Sequence, residues 1–193
     1  MNGEAALLAE AVDLLPLGVI EPAAVRQLAS RLSRRVELPV HVLTPEAVPA
    51  RRIPGRDQLE AGALLEALEA RPRQARRLLV GVSAEDIAIP VFTFVFGLAR
   101  QGGWACLVSR ARTDPAFYGL PDDPELRDER LVREVLHELG HLATLAHCAD
   151  RGCLMSFAGS IEKVDTRGGH FCAACAARLP GWLRGTQAGA ERS

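Results

Sequence analysis

Long apolar runs are missing from this chain. No stretch reaches the roughly 18 uninterrupted apolar residues a membrane span needs, so no membrane partner is expected. Near the start, Glu4, Glu10 and Asp13 stand where a secretory leader would carry a basic head before an apolar run. A cytoplasmic location is therefore expected. Net charge is almost absent, at -1 from 23 Lys and Arg against 24 Asp and Glu, which gives no general attraction to nucleic acid or anionic lipid. The local cluster of Arg71, Arg73, Arg76 and Arg77 around Pro72 reads as a solvated turn. Internal repeats and low-complexity tracts are lacking too. Cysteine is sparse, with five in the chain. In a reducing compartment, paired cysteines point to metal or redox chemistry more often than to disulfides.

What is present is an ordinary globular composition: 193 residues, 48% hydrophobic and 24% charged, enough for one domain spanning 1–193 with a sizeable core. The apolar run Asp13 to Ile20 reads as a strand, with Pro16 suiting a strand start or edge. Pro22 opens a helix whose Val25, Leu28, Ala29 and Leu32 recur at helical spacing. Val36 to Leu43 reads as a second strand and Thr44 to Gly55 as a loop. Leu59, Ala63, Leu64 and Leu68 mark a second amphipathic helix, and Arg77 to Val82 a third strand. Strand, helix, strand, helix, strand predicts an α/β start in three layers with parallel strands. Val91 to Phe96 and Trp104 to Ser109 read as two further strands, antiparallel if paired, because the turn between them is too short for a parallel crossover. Asp123, Pro124 and Glu125 make a strong helix start. The chain turns rich in Cys, His and Gly after Leu145, which predicts a metal-organised C-terminal part.

His137-Glu138-Leu139-Gly140-His141 lies on that last helix. Residues four apart sit one turn apart on one face, so both imidazoles can reach one metal, with Glu138 beside them to take a proton from water. A catalytic zinc uses three protein ligands and lowers the pKa of its water to about 7. His147 is the candidate third ligand. On an ideal helix it would stand roughly 9 Å beyond His141 and turned away, so the helix must stop near residue 144 and reverse. Glycine permits the left-handed backbone such a stop often uses. Thr144 occupies that place here, at a cost of about 1–3 kcal/mol, small against metal binding of about 10 kcal/mol. A continuous helix with His147 off the metal is the competing reading.

Cys148, Cys153, Cys172 and Cys175 form C-x4-C and C-x2-C pairs, a zinc-ribbon-like arrangement. Four thiolates close a tetrahedral site and leave no room for substrate, so the role expected is structural. Disulfides or scattered buried thiols are the alternatives. Cys106, in an apolar strand, reads as a core thiol. Because His147 and Cys148 are adjacent, loss of the structural zinc should disturb the catalytic one. Met155, two residues past Cys153, would by itself be a core residue.

Together, His137-Glu138, His141, His147-Cys148, Cys153, Met155 and the Cys172/Cys175 pair resemble the archaemetzincins, a family of metzincin-type zinc metallopeptidases. The upstream segments Val91 to Gly97 and Phe117 to Leu120 are similar as well, and the likeness covers nearly the whole chain. It departs chiefly at Thr144, where the family carries glycine. The resemblance implies a twisted mixed α/β sheet with an antiparallel edge strand above the cleft and helices packed on it. Residues 1–147 would form the sheet, helices and active-site helix, and 148–193 the zinc-organised part. It implies two zinc ions per chain, Met155 as the hydrophobic floor (the Met-turn) beneath the histidines, and a peptide or protein substrate. It also implies hydrolysis with Glu138 as general base, in an aminopeptidase-like mode. Phe157 stands where some metzincins place a tyrosine, so no such role is assigned. Tyr118 is a candidate site-wall residue, and His170 reads as a loop residue near the second zinc. The alternative is a catalytically impaired zinc- or peptide-binding protein of the same fold. Oligomeric state is not legible.

Overall fold

A computed structural model describes residues 8–47, 51–74 and 76–184. Glu4 and residues 48–50 of the expected 44–55 loop lie outside them. The elements, in chain order, are β1 (Ala11–Leu17), α1 (Pro22–Leu32), β2 (Val40–Val42), β3 (Leu59–Glu60), α2 (Ala61–Glu69), β4 (Arg77–Ser83), β5 (Ile87–Ala88), β6 (Gly97–Ala99) and β7 (Ala105–Ser109). Two 3-10 turns follow, and then α3 (Pro124–Leu142), α4 (Ile161–Thr166), α5 (Ala173–Ala176) and α6 (Gly181–Arg184). The main sheet has the order β2-β1-β4-β7-β6. Four strands run parallel, and β6 alone is antiparallel, at the edge. The antiparallel edge follows from the short 100–104 turn.

Alternation along the strands covers both faces of the sheet. Val12, Leu14, Leu78, Val80, Val82, Cys106 and Val108 face α1 and α3. Leu15, Leu17, Leu79, Ala105 and Leu107 face α2. Pro16 is tolerated inside β1 because its carbonyl accepts from Glu46 N at 3.0 Å. Its missing donor therefore points to that same side, past the end of β2.

Three expectations need correction. The strand expected at Val91 to Phe96 is displaced: the residues that pair antiparallel with β7 at the edge are Gly97–Ala99. Ahead of them pairing is reduced to single backbone bonds, Ser109 N to Phe96 O at 2.8 Å and Val95 N to Ile87 O at 3.0 Å, while the aromatic side chains pack: Phe96 is buried with Ile161 and Val164, with Phe94 against that cluster. The expected strand 36–43 shrinks to Val40–Val42, because Val36 extends the turn after α1 by bonding Leu32 O. Leu59 lies in short parallel β3, paired with β5, and α2 begins only at Ala61. The C-terminal part is also less separate than its composition implied. Leu154, Met155, Phe171, Leu179, Trp182 and Leu183 all join the core beneath α3.

Candidate active site

α3 carries the HExxH residues. Asp123 caps it by accepting from Leu126 N at 3.0 Å, and Pro124 occupies its first turn. The helix ends at Leu142, and Thr144 takes φ +70°, the left-handed backbone expected of that position. Leu145 N bonds Gly140 O, and Thr144 N bonds His141 O, both at 2.9 Å. That pair of bonds is a Schellman ending with threonine in the place glycine usually takes. The β6–β7 turn braces it: Gly102 N donates to His141 O at 3.0 Å, and Gln101 donates to Thr144 O at 2.6 Å.

The reversal brings His147 back to the helix. The His137, His141 and His147 ring centroids stand 4.7, 5.3 and 4.9 Å apart, and one ligand nitrogen from each lies within 4.8 Å of the others. Carbonyls fix two of the tautomers. His137 Nδ1–H donates to Leu154 O and His141 Nδ1–H to Leu145 O, each at 2.8 Å, which leaves both Nε2 atoms as bare acceptors. Those two Nε2 atoms face each other at 3.1 Å. Two facing lone pairs suit a cation between them, and tetrahedral zinc with Zn–N of about 2.0–2.1 Å would set them about 3.3 Å apart. Burial lowers the pKa of all three imidazoles, with the positive Arg167 contributing. They are therefore neutral, as ligands must be.

Glu138 is buried against the edge strand. Burial, then the neighbouring Glu134, push its carboxyl pKa well up, which increases its basicity. Gly97 makes room for it: a Cβ there would lie 2.5 Å from Glu138 Oε1. Beneath the histidines Met155 is fully buried, and its Sδ occupies the space a side chain at Gly140 would need.

The sulfurs of Cys148, Cys153, Cys172 and Cys175 form a second cluster within 4.8 Å. Cys148 Sγ and Cys172 Sγ are 3.8 Å apart, the separation that Zn–S bonds of about 2.3 Å give in a tetrahedron. The backbone N–H groups of Met155 and Cys172 point at Cys153 Sγ from 3.5 and 3.3 Å. A bond from Cys175 N holds the Cys172 thiol down, whereas burial pushes Cys153 and Cys175 up. Cys106 stays apart in the core, its thiol raised by burial.

A model of peptidase family M54 matches residues 76–180, a span that holds the edge strand, the HExxH helix and all four clustered cysteines. The chain belongs to that family. The M54 chain is similar to the archaemetzincin of Methanopyrus kandleri, at 40% identity over 142 residues, 74% of this chain and 72% of the relative. The archaemetzincin of Thermococcus kodakarensis is 39% identical over 127 residues, 65% of this chain and 68% of the relative. Among solved structures, the archaemetzincin from Archaeoglobus fulgidus complexed with malonate superposes with TM-score 0.76 at 31% identity, covering 88% of this chain and 99% of that one. A zinc-dependent peptidase from Methanocorpusculum labreanum gives TM-score 0.78 at 26% identity, covering 87% and 99%. The protein is thus a zinc metallopeptidase, a hydrolase acting on peptide or protein substrates.

The cleft of this M54 peptidase has a volume of about 440 Å³. Its lining includes the three histidines, Glu138, the edge strand and four phenylalanines, Phe92, Phe94, Phe96 and Phe157. Phe157 packs edge-on against His147 at 5.3 Å. Tyr118 is not in the lining; its hydroxyl donates to Arg112 O at 3.0 Å. His170 lies outside the histidine cluster, and its carbonyl accepts from Leu154 N at 2.8 Å. Among the described residues no helix is long and apolar enough to cross a membrane.

Sequence reading missed four contributors: Gly97, Gly140, Glu134 and Arg167. A lone glycine inside a helical pattern, as at Gly140, often marks close packing and was the one usable signal. Glu134 sits one turn before His137 and Glu138, yet nothing local pairs it with Arg167, thirty-three residues on.

Proposed function

We propose that the cleft hydrolyses peptide bonds with one zinc held by Nε2 of His137, Nε2 of His141 and the ring of His147. Glu138 is the general base, and a second, structural zinc sits on Cys148, Cys153, Cys172 and Cys175. The observation that carries this reading is the pair of Nε2 atoms facing each other at 3.1 Å, with both Nδ1 protons already given to carbonyls. Zinc supplies Lewis acidity there, lowering the pKa of a water and polarising the scissile carbonyl. Glu138 accepts the proton of the water whose oxygen attacks the carbonyl carbon. The C–N bond then breaks, and Glu138 returns the proton to the leaving amine. Met155 supports the helix from below, and the cysteine site ties Cys148 to the segment that carries it.

Backbone groups of β6 on the side away from β7 are placed to receive the substrate as an added strand. The phenylalanines of the cleft favour an apolar side chain near the scissile bond. Thr144 supports catalysis over an impaired binding protein, because it adopts the left-handed turn that returns His147 to the other rings. In the test, Glu138→Gln retains zinc at the histidines and loses peptide hydrolysis by about 10²–10⁴-fold. Undiminished hydrolysis in that variant would remove Glu138 from the mechanism. Zinc content per chain tests the count of two. Peptides with free and acetylated amino termini test the aminopeptidase-like mode: turnover confined to free termini supports it, and equal turnover excludes it.

A further inference from the structure

Against the Nδ1 edge of His137, opposite the Nε2 that faces the metal position, Arg167 and Glu134 form a buried ion pair at the base of the cleft lining; neither takes nor gives a proton in the steps above. Arg167, which follows α4, and Glu134 of α3 have side chains only 1% and 4% exposed. The guanidinium touches three things. One Nη bonds the Glu134 carboxylate. The other donates to Ser156 O at 3.2 Å and stands 3.0 Å from His137 Nδ1. That nitrogen donates its proton to Leu154 O at 2.8 Å. With its proton on Leu154 O, Nδ1 has no lone pair to offer the guanidinium, so Arg167 lies against the ring edge as a close contact and not as a hydrogen-bond donor to it. Its Nε has no hydrogen-bond partner among the described residues.

These contacts close a circuit. Glu134 and His137 share one face of α3, three residues apart. Glu134 holds Arg167, and Arg167 holds Ser156 O. Ser156 flanks Met155, and Leu154 on its other side holds His137. The direction in which His137 Nε2 points thus depends on where the 154–156 segment lies relative to α3, and Arg167 sets that spacing. A buried ion pair is seldom worth more to stability than apolar residues of the same volume. Its place against a metal-site ring makes position its more informative role. A planar fork can hold the carboxylate and the carbonyl at once in a fixed geometry, which the point charge of an ammonium does not provide.

We infer that Arg167, with Glu134, is a positioning residue for His137: the pair holds the ring and the Met155 segment in register, so that the histidine site binds zinc tightly. The inference rests on the zinc-site reading proposed above. The test is zinc titration of the histidine site against a competing chelator, together with the visible spectrum of Co²⁺ bound there. It compares the full-length wild type, Arg167→Lys, and the double variant Arg167→Met with Glu134→Leu. The double variant leaves no buried charge unpaired, so it separates folding from positioning.

Both variants should melt cooperatively and keep the metal on the cysteines. Both should bind zinc at the histidines about 10–100-fold more weakly and show altered cobalt bands. A double variant that folds and binds zinc with wild-type affinity would overturn the inference. So would failure of both variants to fold, which would make the pair a folding element. If Arg167→Lys alone fails, the double variant decides. A wild type that takes no zinc on its histidines would instead overturn the reading of the site itself.

Discussion

Met155 Sδ rests on the bare backbone of Gly140, between the two histidines of the helix, in space that a single methyl at residue 140 would claim. The residue chosen for its lack of a side chain and the residue chosen for its soft, adaptable one form a single packing unit. Phe171 closes the same gap from the side, 3.3 Å from where that methyl would stand. Helix register, Met155 and the two imidazoles are therefore set together.

Gly140→Ala should test this unit through the sign of its effect. In an exposed helix the change stabilises by up to about 1 kcal/mol. Here overpacking should outweigh that gain and destabilise by about 1–3 kcal/mol, with weaker zinc binding. Thermal or urea unfolding of the zinc-loaded protein reads it out. A rise in stability would show that Met155 does not press on the helix.

Gly97→Ala should act on chemistry more than on folding. Its methyl would meet the Glu138 carboxylate and carboxyl-side carbons at 2.5 to 2.9 Å, displacing the base. Hydrolysis should fall by at least tenfold, with the histidine zinc retained and KM little changed. Unchanged kcat in a protein of normal zinc content would mean that Glu138 tolerates displacement.

Thr144→Gly should stabilise the protein. The β-branched residue pays for its positive φ, and glycine removes about 1–2 kcal/mol of that cost, partly offset by a more flexible unfolded chain. The expected gain is about 1 kcal/mol with activity maintained, measured by denaturant midpoint and peptide turnover. Destabilisation would show that the Thr144 side chain makes contacts worth more than its strain.

Cys172→Ser should weaken the histidine site although it touches none of the histidines. Cys148 follows His147 directly and bonds Met155 O through its N–H at 2.9 Å, so loosening the cysteine cluster frees the segment that carries the third imidazole. Metal analysis should find less than one zinc per chain after dialysis against a mild chelator. Full retention at the histidines would show that the two clusters are independent.

Much of this was local and therefore legible. Spacing of four on a helix puts His137 and His141 on one face whatever surrounds them. The two cysteine pairs carry their own chemistry, and Asp123-Pro124 starts a helix by capping physics alone. A helix stop near Thr144 could be anticipated too, because His147 cannot return to His141 without one; the positive φ itself is what the structure adds. The edge strand was less legible. Apolar, β-branched and aromatic residues at 91–96 signal burial, and burial can come from packing on Ile161 and Val164 as well as from pairing in a sheet. The paired register falls on Gly97–Ala99, where Gly97 leaves room for the carboxylate of Glu138.

The sequence by itself determined which residues could bind metal and where the helix that carries them begins and reverses, since those follow from backbone geometry over a few neighbouring positions. Only the tertiary structure decided that Gly97 faces Glu138, that Gly140 receives Met155, and that Arg167 closes on Glu134 beside His137. Each of those relations joins elements distant along the chain, and close packing and the pairing of buried charges take effect only once the chain has brought them together.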